Sequence, residues 1–339
     1  MSQPLASLPN LPRKVLSQGV TPLEPCPNLA RALGARMIWV KRDDCNGLAF
    51  GGNKVRQMEY YLGDALSKGC DTILITGAVQ SNFVRTAAAA CAKSGLACHV
   101  QLEARVSKKT DAYMNSGNVL LDHMLGAIIH HFPVGEDEAG ADRNLEQIAD
   151  GLRAQGNKPY VVHLSPGHPP LGALGYVDCA LELDQQLKDG NISPDSVFVP
   201  TGSGSTHAGF LYGWRALGRG EPVTGSCVRR SHDLQTPRIV SRLKEIGELL
   251  QETPCCSEQD VLITDAFLAP GYGKAGDEVR TAIALAASSE ALILDPVYTG
   301  KTFAAAFRYA RENPGCEIVI LHSGGGPSIF GYDKADLLP

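Results

Sequence analysis

Short apolar runs rich in β-branched residues alternate with longer amphipathic stretches from Asp71 onward. The runs at 72–76, 197–199 and 318–321 end at or near Gly or Pro, which is typical of strands buried on both faces of a sheet. Parallel strands need a crossover of a dozen or more residues, usually a helix. The alternation therefore predicts an α/β fold built from strand–helix units.

Helices are predicted at residues 53–68, 81–93, 205–217 and 302–311. Asn or Ser stands at three of these starts, where its side chain could cap free amides. Gly69 and Gly95 stand where two of the helices should end.

The length of 339 residues predicts one large α/β unit or two domains that share a cleft. The clearest breaks in the chain are Gly51-Gly52 and residues 165–170. They would bracket a small inserted domain, residues 53–164, within a large domain made of residues 1–52 and 165–339.

Charge and hydropathy disfavour two classes of partner. The formal net charge is only -5, and Lys and Arg are scattered along the chain, so we expect no nucleic-acid partner. No apolar run approaches the length of a membrane span, and residues 1–10 lack a basic segment followed by an apolar core. We therefore expect a cytoplasmic protein without a membrane partner.

The ten cysteines are spread over a long chain with no predicted export signal. In a reducing compartment most of them should be free thiols that pack as small buried hydrophobes. The only close pair is Cys255-Cys256, and no Cys/His cluster has zinc spacing, so no metal site is predicted.

Lys54 follows Gly51-Gly52-Asn53 at the start of a predicted helix. A cation is disfavoured at this positive end of a helix, and the same field would lower the pKa of the lysine. A lysine with a lowered pKa is the kind that attacks a carbonyl and holds a Schiff base. A solvated surface lysine is the alternative that the residue alone leaves open.

Ser81 and Asn82 lie in the turn between the strand at 72–76 and the next helix. Ligands of parallel sheets bind at the carboxyl ends of strands, so both polar side chains would face such a crevice. A plain helix cap is the alternative for Ser81.

A loop of five small residues follows the strand at 197–199: Gly202, Ser203, Gly204, Ser205 and Thr206. Small residues let the backbone wrap an anion, and the following helix terminus adds a favourable field, so the loop predicts a phosphate cradle. His207 stands where a dinucleotide fingerprint would have its third glycine, and no Gly-Lys-Ser/Thr follows. ATP and NAD are therefore not predicted.

Two more loops follow apolar runs near the end of the chain, one with Tyr298 and one with Ser323 before a triple glycine. The triple glycine suggests a backbone pressed close to something flat or bulky, with a plain tight turn as the alternative. Five such loops that carry Lys, Asn, a Gly/Ser cradle, Tyr and Ser together favour an active site.

Together these segments resemble the fold-type-II pyridoxal-phosphate (PLP) enzymes, a fold similar to that of the tryptophan synthase β chain. Within them the chain is similar to the group of D-cysteine desulfhydrase, 1-aminocyclopropane-1-carboxylate deaminase and L-cysteate sulfo-lyase. The most specific motifs are Lys41-Arg42-Asp43-Asp44, Gly51-Gly52-Asn53-Lys54, Gln80-Ser81-Asn82 and Pro296-Val297-Tyr298-Thr299-Gly300-Lys301. The resemblance implies two α/β domains with the cofactor in the cleft, and a homodimer.

The resemblance also implies a role for each candidate site residue. Lys54 would hold the cofactor as a Schiff base, Asn82 would hydrogen-bond its phenolic oxygen, and residues 202–206 would bind its phosphate. Ser81 would contact the substrate carboxylate. Tyr272 and Tyr298 match tyrosines that assist proton transfer or hold the substrate.

Two positions favour elimination over ring opening. The deaminase carries a glutamate where this chain has Thr299, and that carboxylate partners the pyridine nitrogen. Ser323 instead matches the hydroxyl residue that the desulfhydrases place after a histidine. A hydroxyl can donate to an unprotonated ring nitrogen, and the resulting weaker electron sink suits the expulsion of a β-leaving group.

The resemblance therefore implies α,β-elimination from a cysteine-like amino acid, with D-cysteine giving pyruvate, ammonia and sulfide. Lys54 would be the proton acceptor at Cα. Three alternatives stay open: an L-cysteate sulfo-lyase, a cyclopropane deaminase, and a PLP-binding protein without catalysis. Relatives usually carry a polar residue where this chain has Phe83, which predicts an altered substrate side of the pocket.

Overall fold

Ten strands form two sheets in the part of the chain that the computed structural model describes, residues 5–165 and 167–339. They are β1 (Leu23–Pro25), β2 (Met37–Arg42), β3 (Thr72–Ala78), β4 (Ala97–Glu103), β5 (Ile128–Phe132), β6 (Pro159–Val162), β7 (Ser196–Thr201), β8 (Val223–Cys227), β9 (Leu262–Thr264) and β10 (Glu317–His322). The larger sheet has the order β1-β2-β10-β7-β8-β9 and the smaller one β5-β4-β3-β6. Strand β1 pairs antiparallel with β2, and the other pairings are parallel. Residues 1–4 and Pro166, which fall in the predicted start and in one predicted break, lie outside the described residues.

Twelve α-helices connect these strands within the same ranges. They are α1 (Pro27–Leu33), α2 (Asn53–Ser67), α3 (Asn82–Ser94), α4 (Asp111–Asn115), α5 (Asn118–Met124), α6 (Glu138–Ala154), α7 (Leu171–Asp189), α8 (Ser205–Ala216), α9 (His232–Leu250), α10 (Asp277–Glu290), α11 (Thr299–Glu312) and α12 (Lys334–Leu337). The predicted α/β class and the four predicted helices are confirmed, and the largest shift is at α11, which begins three residues before its prediction. Among the described helices, none has the length and apolar character needed to cross a membrane.

The prediction of three side-chain caps was right at one helix. The hydroxyl of Ser81 accepts a hydrogen bond from the amide of Val84 at 3.3 Å and caps α3. Glycines precede α2 and α8, so Asn53 and Ser205 are the first helical residues and do not cap them. The side chain of Asn53 is thereby free for a contact inside the cleft.

The strands divide between the two sheets along the chain. The smaller sheet uses residues between 72 and 162, and the strands of the larger sheet lie before residue 43 and after residue 195. On this basis we propose the boundaries stated above, a small domain at 53–164 and a large one at 1–52 and 165–339. Helix α2 packs against both α3 and α7 and so touches both parts.

A buried network of charged side chains joins the end of β2 to α2 and α7. Arg56 on α2 donates two hydrogen bonds of 3.0 Å to Asp43 and a third, of 2.9 Å, to Oε1 of Glu182. Lys41 forms an ion pair with the same glutamate and donates to the carbonyl of Thr21 at 2.7 Å. Removing one partner would leave a buried charge unpaired, which typically costs about 3–5 kcal/mol. The network therefore fixes α2, whose first turn carries Lys54.

The Gly51-Gly52 turn before α2 packs against the loop after β10. Gly52 has a φ of 104°, and a Cβ there would lie 3.1 Å from the carbonyl oxygen of Ser323. On the other side, a Cβ at Gly324 would lie 2.6 Å from the Cα of Gly52. The bulky neighbour predicted for the triple glycine is thus, at Gly324, the backbone of the chain itself.

Candidate active site

Loops that follow β3, β7 and β10 line one cleft. Its larger cavity encloses about 730 Å³ of space free of protein atoms, including open solvent at the mouth. A smaller cavity adjoins it and shares Lys54, Ser81 and Tyr298 with it. The other predicted residues that line the larger cavity are Gly202, Ser203, Gly204, Thr206 and Tyr272, while Asn82 and Ser323 line the smaller one. Ser205, in the first turn of α8, is missing from the lining of both cavities as described.

The amine of Lys54 lies in the cleft at the start of α2. Its Nζ donates a hydrogen bond to Oε1 of Gln57 at 3.0 Å and lies 4.8 Å from the centre of the Phe83 ring. Burial lowers the pKa of Lys54 to about 8. The sequence predicted this direction from the helix field, whereas the cause in the structure is the removal of the amine from water. A useful fraction of the amine is therefore neutral and nucleophilic near pH 8.

The loop of small residues after β7 has two carbonyl groups that are engaged by side chains. The carbonyl of Gly202 accepts hydrogen bonds from Arg230 at 3.2 Å and Gln235 at 3.1 Å, and that of Ser203 accepts one from Arg238 at 3.0 Å. Gly204, with a φ of 98°, forms the N-cap of α8. Free amides at the start of a helix and the positive end of its dipole make this loop a site for an anion.

The hydroxyl of Thr206 has one group left to offer a ligand. Its oxygen accepts hydrogen bonds of 2.9 Å from the side-chain amides of Asn53 and Gln57. A hydroxyl has two acceptor lone pairs and one proton, so its proton is the part not engaged by these two donors. Thr206 can thus donate to an anion in the loop.

Asn82 is oriented by a residue that the sequence analysis did not single out. Asn118, at the start of α5, donates from Nδ2 to Oδ1 of Asn82 at 2.8 Å and to the carbonyl of Gln80 at 3.0 Å. The carboxamide oxygen of Asn82 is thereby occupied, which leaves its NH₂ group to donate into the smaller cavity. Asn118 is 36 residues away in sequence, and no local pattern marks it.

Two tyrosines face each other in the larger cavity of the cleft. The hydroxyl oxygens of Tyr272 and Tyr298 are 2.9 Å apart, and their rings meet edge to face at 83°. Burial, together with the neighbouring Tyr272, raises the pKa of Tyr298 well above its ordinary value. Tyr298 therefore stays protonated at neutral pH and can act as a hydrogen-bond donor.

Ser323 and Asp295 line the smaller cavity, whereas Thr299 is buried behind it. The carboxylate of Asp295 accepts hydrogen bonds from the amides of Val297, Tyr298 and Thr299 and from the Thr299 hydroxyl, all between 2.8 and 2.9 Å. These four donors use the lone pairs of both carboxylate oxygens. No local sequence pattern places this carboxylate in the cavity, because Asp295 and Ser323 come together only in the tertiary fold.

Four arginines in the larger cavity were also missed: Arg105, Arg229, Arg230 and Arg238. Glu138 on α6 pairs with Arg229 at 2.7 Å, with Arg230, and with Arg238 at 3.4 Å. Burial alone would raise the pKa of Glu138, but the three arginines lower it. These ion pairs join α6, which packs on the smaller sheet, to segments of the larger half. Arg229 also pairs with Glu136 at 2.9 Å, and Arg105 pairs with Glu103 at 2.6 Å.

Within residues 5–165 and 167–339, one group of possible metal ligands occurs outside the cleft, formed by Asp142, His163 and His168. The two imidazole rings are stacked, with centres 3.8 Å apart and planes inclined by 15°. The lone pair of an imidazole lies in its ring plane, so two stacked rings do not direct their lone pairs to one ion. Nε2 of His163 also lies 2.9 Å from Oε1 of Glu146. We keep the prediction that the protein uses no metal.

The chain is similar to known proteins over nearly its whole length. A family model described as pyridoxal-phosphate dependent enzyme matches residues 15–324. A curated D-cysteine desulfhydrase of Klebsiella pneumoniae subsp. pneumoniae is 38% identical over 334 residues, which cover 97% of this chain and 98% of the relative.

Solved structures show the same fold. The structure of an ACC deaminase homologue superposes with a TM-score of 0.86 at 35% identity and covers 98% of both chains. A hydrogen sulfide-producing enzyme from Fusobacterium nucleatum gives a TM-score of 0.64 at 18% identity, with 92% of this chain and 99% of that one covered. The second likeness supports the fold alone.

Proposed function

This chain belongs to the family of pyridoxal-phosphate-dependent enzymes, and we propose that it is a carbon–sulfur lyase that converts D-cysteine to pyruvate, ammonia and sulfide. The observation that carries the proposal is the amine of Lys54, with its lowered pKa, in one cleft with an anion-binding loop and a tyrosine pair. The likeness to a D-cysteine desulfhydrase over nearly the whole chain supports the substrate.

The hydrogen-bond donors of the cleft fit PLP. The phosphate loop offers backbone amides and the Thr206 proton, and a Cβ at Gly202 would come within 3.0 Å of the side chain of Val228. Lys54 and the NH₂ group of Asn82 face the adjoining space. We therefore propose that Lys54, Asn82, the 202–206 loop and Ser323 hold PLP, whose ring supplies an electron sink for the α-carbon of a bound amino acid.

The other residues around that space have separate proposed roles in the reaction. Lys54 takes the proton from Cα, for which its lowered pKa suits it. The hydroxyl of Ser81 and the start of α3 bind the substrate carboxylate, since the positive end of the helix dipole favours an anion. The paired hydroxyls of Tyr272 and Tyr298 donate a proton to the departing sulfur.

A substrate panel tests this function. Purified protein is supplied with D-cysteine, L-cysteine, L-cysteate, β-chloroalanine and 1-aminocyclopropane-1-carboxylate, and pyruvate, ammonia, sulfide and sulfite are measured. We expect pyruvate and sulfide to be formed in equal amounts from D-cysteine. Release of ammonia from the cyclopropane amino acid alone would indicate the deaminase, and no turnover at all would indicate a PLP-binding protein without catalysis.

An L-cysteate sulfo-lyase is the second candidate, and the arginines of the cleft favour it. Arg105 and Arg229 line the same cavity as Tyr272 and Tyr298. A sulfonate carries a negative charge that a thiol lacks, and arginines recognise such groups by charge-assisted hydrogen bonds. Release of sulfite from L-cysteate that exceeds sulfide release from D-cysteine would support this candidate.

Thr206→Val should weaken the retention of PLP about tenfold or more. It removes one donor to the phosphate, and a hydrogen bond to a charged group is worth about 1.5–3 kcal/mol. It also leaves the amides of Asn53 and Gln57 without their acceptor. Equilibrium titration with PLP measures the effect, and Thr281→Val on the exposed face of α10 serves as the matched control. Unchanged affinity in Thr206→Val would place the phosphate elsewhere.

Uptake of PLP by cofactor-free protein should accelerate with pH and level off above about pH 8. Burial lowers the pKa of Lys54 to about 8, and below that value the amine is protonated and lacks the lone pair that attacks a carbonyl. The rise of visible absorbance at each pH gives the rate. A rate that keeps rising towards pH 10, the range of an ordinary lysine, would contradict the buried amine.

We also propose that the protein is a cytoplasmic homodimer. The family resemblance supports the dimer, and the ten free cysteines suit a reducing compartment. Sedimentation of the purified protein tests the dimer.

A further inference from the structure

We propose that Gln57 is a positioning residue that ties the amine of Lys54 to the phosphate-binding loop. Its side-chain oxygen accepts a hydrogen bond from Nζ of Lys54 at 3.0 Å, and its nitrogen donates one to Oγ1 of Thr206 at 2.9 Å. One carboxamide thus bridges the two groups that would hold opposite ends of the cofactor. Among the described residues, Gln57 alone accepts a hydrogen bond from this amine.

The surroundings of Gln57 hold the carboxamide in one place. Gln57 lies three residues after Lys54 on α2, so both side chains share one face of the helix. It is only 1% exposed, and α7 packs so closely that a Cβ at Gly172 would lie 3.0 Å from the Cβ of Gln57. A flipped carboxamide would point its NH₂ group at the amine of Lys54, so the observed orientation is the favourable one.

The bridge has one consequence at each end. At Thr206, Gln57 and Asn53 occupy both acceptor positions of the hydroxyl and leave its proton for an anion. At Lys54, the oxygen of Gln57 sets where the amine rests when it is not covalently engaged. It also favours the charged form of that amine and so opposes the effect of burial. The other titratable groups that line the cleft are Arg105, Glu138, Arg229, Arg230, Arg238, Tyr272, Asp295 and Tyr298.

The test uses the full-length protein after removal of its cofactor and reads the two ends separately. The pKa of Lys54 is taken from the pH dependence of its labelling by an amine reagent, followed by peptide mass spectrometry. The phosphate end is read by equilibrium binding of pyridoxine 5′-phosphate, which has no aldehyde and cannot react with the lysine. The variants are Gln57→Met and Gln57→Glu, with Thr206→Val as a reference for the phosphate end.

Gln57→Met should lower the pKa of Lys54, and Gln57→Glu should raise it by about one to three units, because an opposite charge favours the ammonium form. Both variants should bind pyridoxine 5′-phosphate about fivefold or more weakly, since a neutral hydrogen bond that orients the Thr206 donor is lost. Thr206→Val should weaken this binding without moving the pKa of the lysine. A general loss of stability would not shift the pKa of Lys54 in opposite directions in the two variants.

A matched control is Gln101→Met, which removes a buried glutamine from β4. The side-chain amide of Gln101 donates hydrogen bonds to the hydroxyl of Thr76 and to the carbonyl of Ala141. It should leave both readouts at the wild-type values. If the pKa of Lys54 is the same in folded Gln57→Met, Gln57→Glu and wild type, the proposal is overturned. This inference rests on the proposed role of Lys54, and a separate experiment tests that role. Wild-type protein is loaded with PLP and reduced with borohydride, which fixes the cofactor to its lysine. Labelling of a lysine other than Lys54 would refute the proposed function.

Discussion

Lys54→Ala should abolish both the absorbance band of the lysine Schiff base in the PLP-loaded protein and the release of pyruvate. The amine of Lys54 is the group proposed to bind the cofactor covalently and to move the proton at Cα, and proton transfer by a positioned side chain alone contributes about 10²- to 10⁴-fold to a rate. PLP can still be retained through the 202–206 loop, whose amides do not depend on the lysine. Absorbance spectra and pyruvate release, measured on the same sample, report the two losses.

Lys301 is the appropriate control, because burial lowers its pKa to about 8 as well. Its Nζ donates hydrogen bonds of 2.9 Å to the carbonyls of Leu268 and Gly271 and therefore supports the loop before Tyr272. Lys301→Met should keep the visible band even if the rate falls. A Lys54→Ala protein that keeps its band, or a Lys301→Met protein that loses it, would show that the wrong lysine was chosen.

The sequence allowed the fold to be predicted because the relevant signals are local. The apolar runs at 72–76, 197–199 and 318–321 lie within β3, β7 and β10, and Gly95 ends α3 in the left-handed conformation, with a φ of 70°. Strands and helix ends are determined largely by residues that are adjacent in sequence, so a single sequence is enough to recognise them. The antiparallel β1 was not predicted, since three residues give no periodic pattern.

Only part of the candidate site follows from the strand pattern. Ser81 and Ser323 come soon after β3 and β10, at the carboxyl ends of parallel strands, and both line the cleft. Lys54 and Tyr298 line it as well, but two short turns separate Lys54 from β2, and in the described residues no strand lies between α10 and Tyr298.

The residues that orient the predicted site residues could not be predicted from spacing in the sequence. Asn118 reaches Asn82 from another helix, and Glu138 meets three arginines from the other half of the chain. The Lys41-Arg42-Asp43-Asp44 motif supported the family resemblance, yet Lys41 and Asp43 belong to the buried network around Arg56. Such contacts exist only once the two sheets are in place, and a motif alone does not separate scaffold from site.

Ser323→Asp should divert the reaction from pyruvate towards racemisation and transamination. Ser323 lines the smaller cavity, and we propose it as the partner of the ring nitrogen of PLP. An anion at this position raises the pKa of that nitrogen by about one to three units, and a protonated ring withdraws electrons more strongly. A stronger electron sink prolongs the life of the Cα carbanion, so the ratio of side products to pyruvate should rise by about tenfold or more.

The matched control for this change is Ser323→Asn, which has nearly the size of Asp without its charge and should not raise the ratio. Thr299→Ala should also leave the ratio unchanged, because the Thr299 hydroxyl donates to Asp295 and lies behind the cavity. Chiral analysis of the remaining substrate, with pyruvate and transaminated cofactor measured in parallel, gives the ratio for each variant. If Thr299→Ala changes the products while Ser323→Asp does not, Ser323 is not the partner of the ring nitrogen. Loss of the Thr299 donor would then have freed an oxygen of Asp295 for that role, and the argument for elimination from a hydroxyl partner would fail.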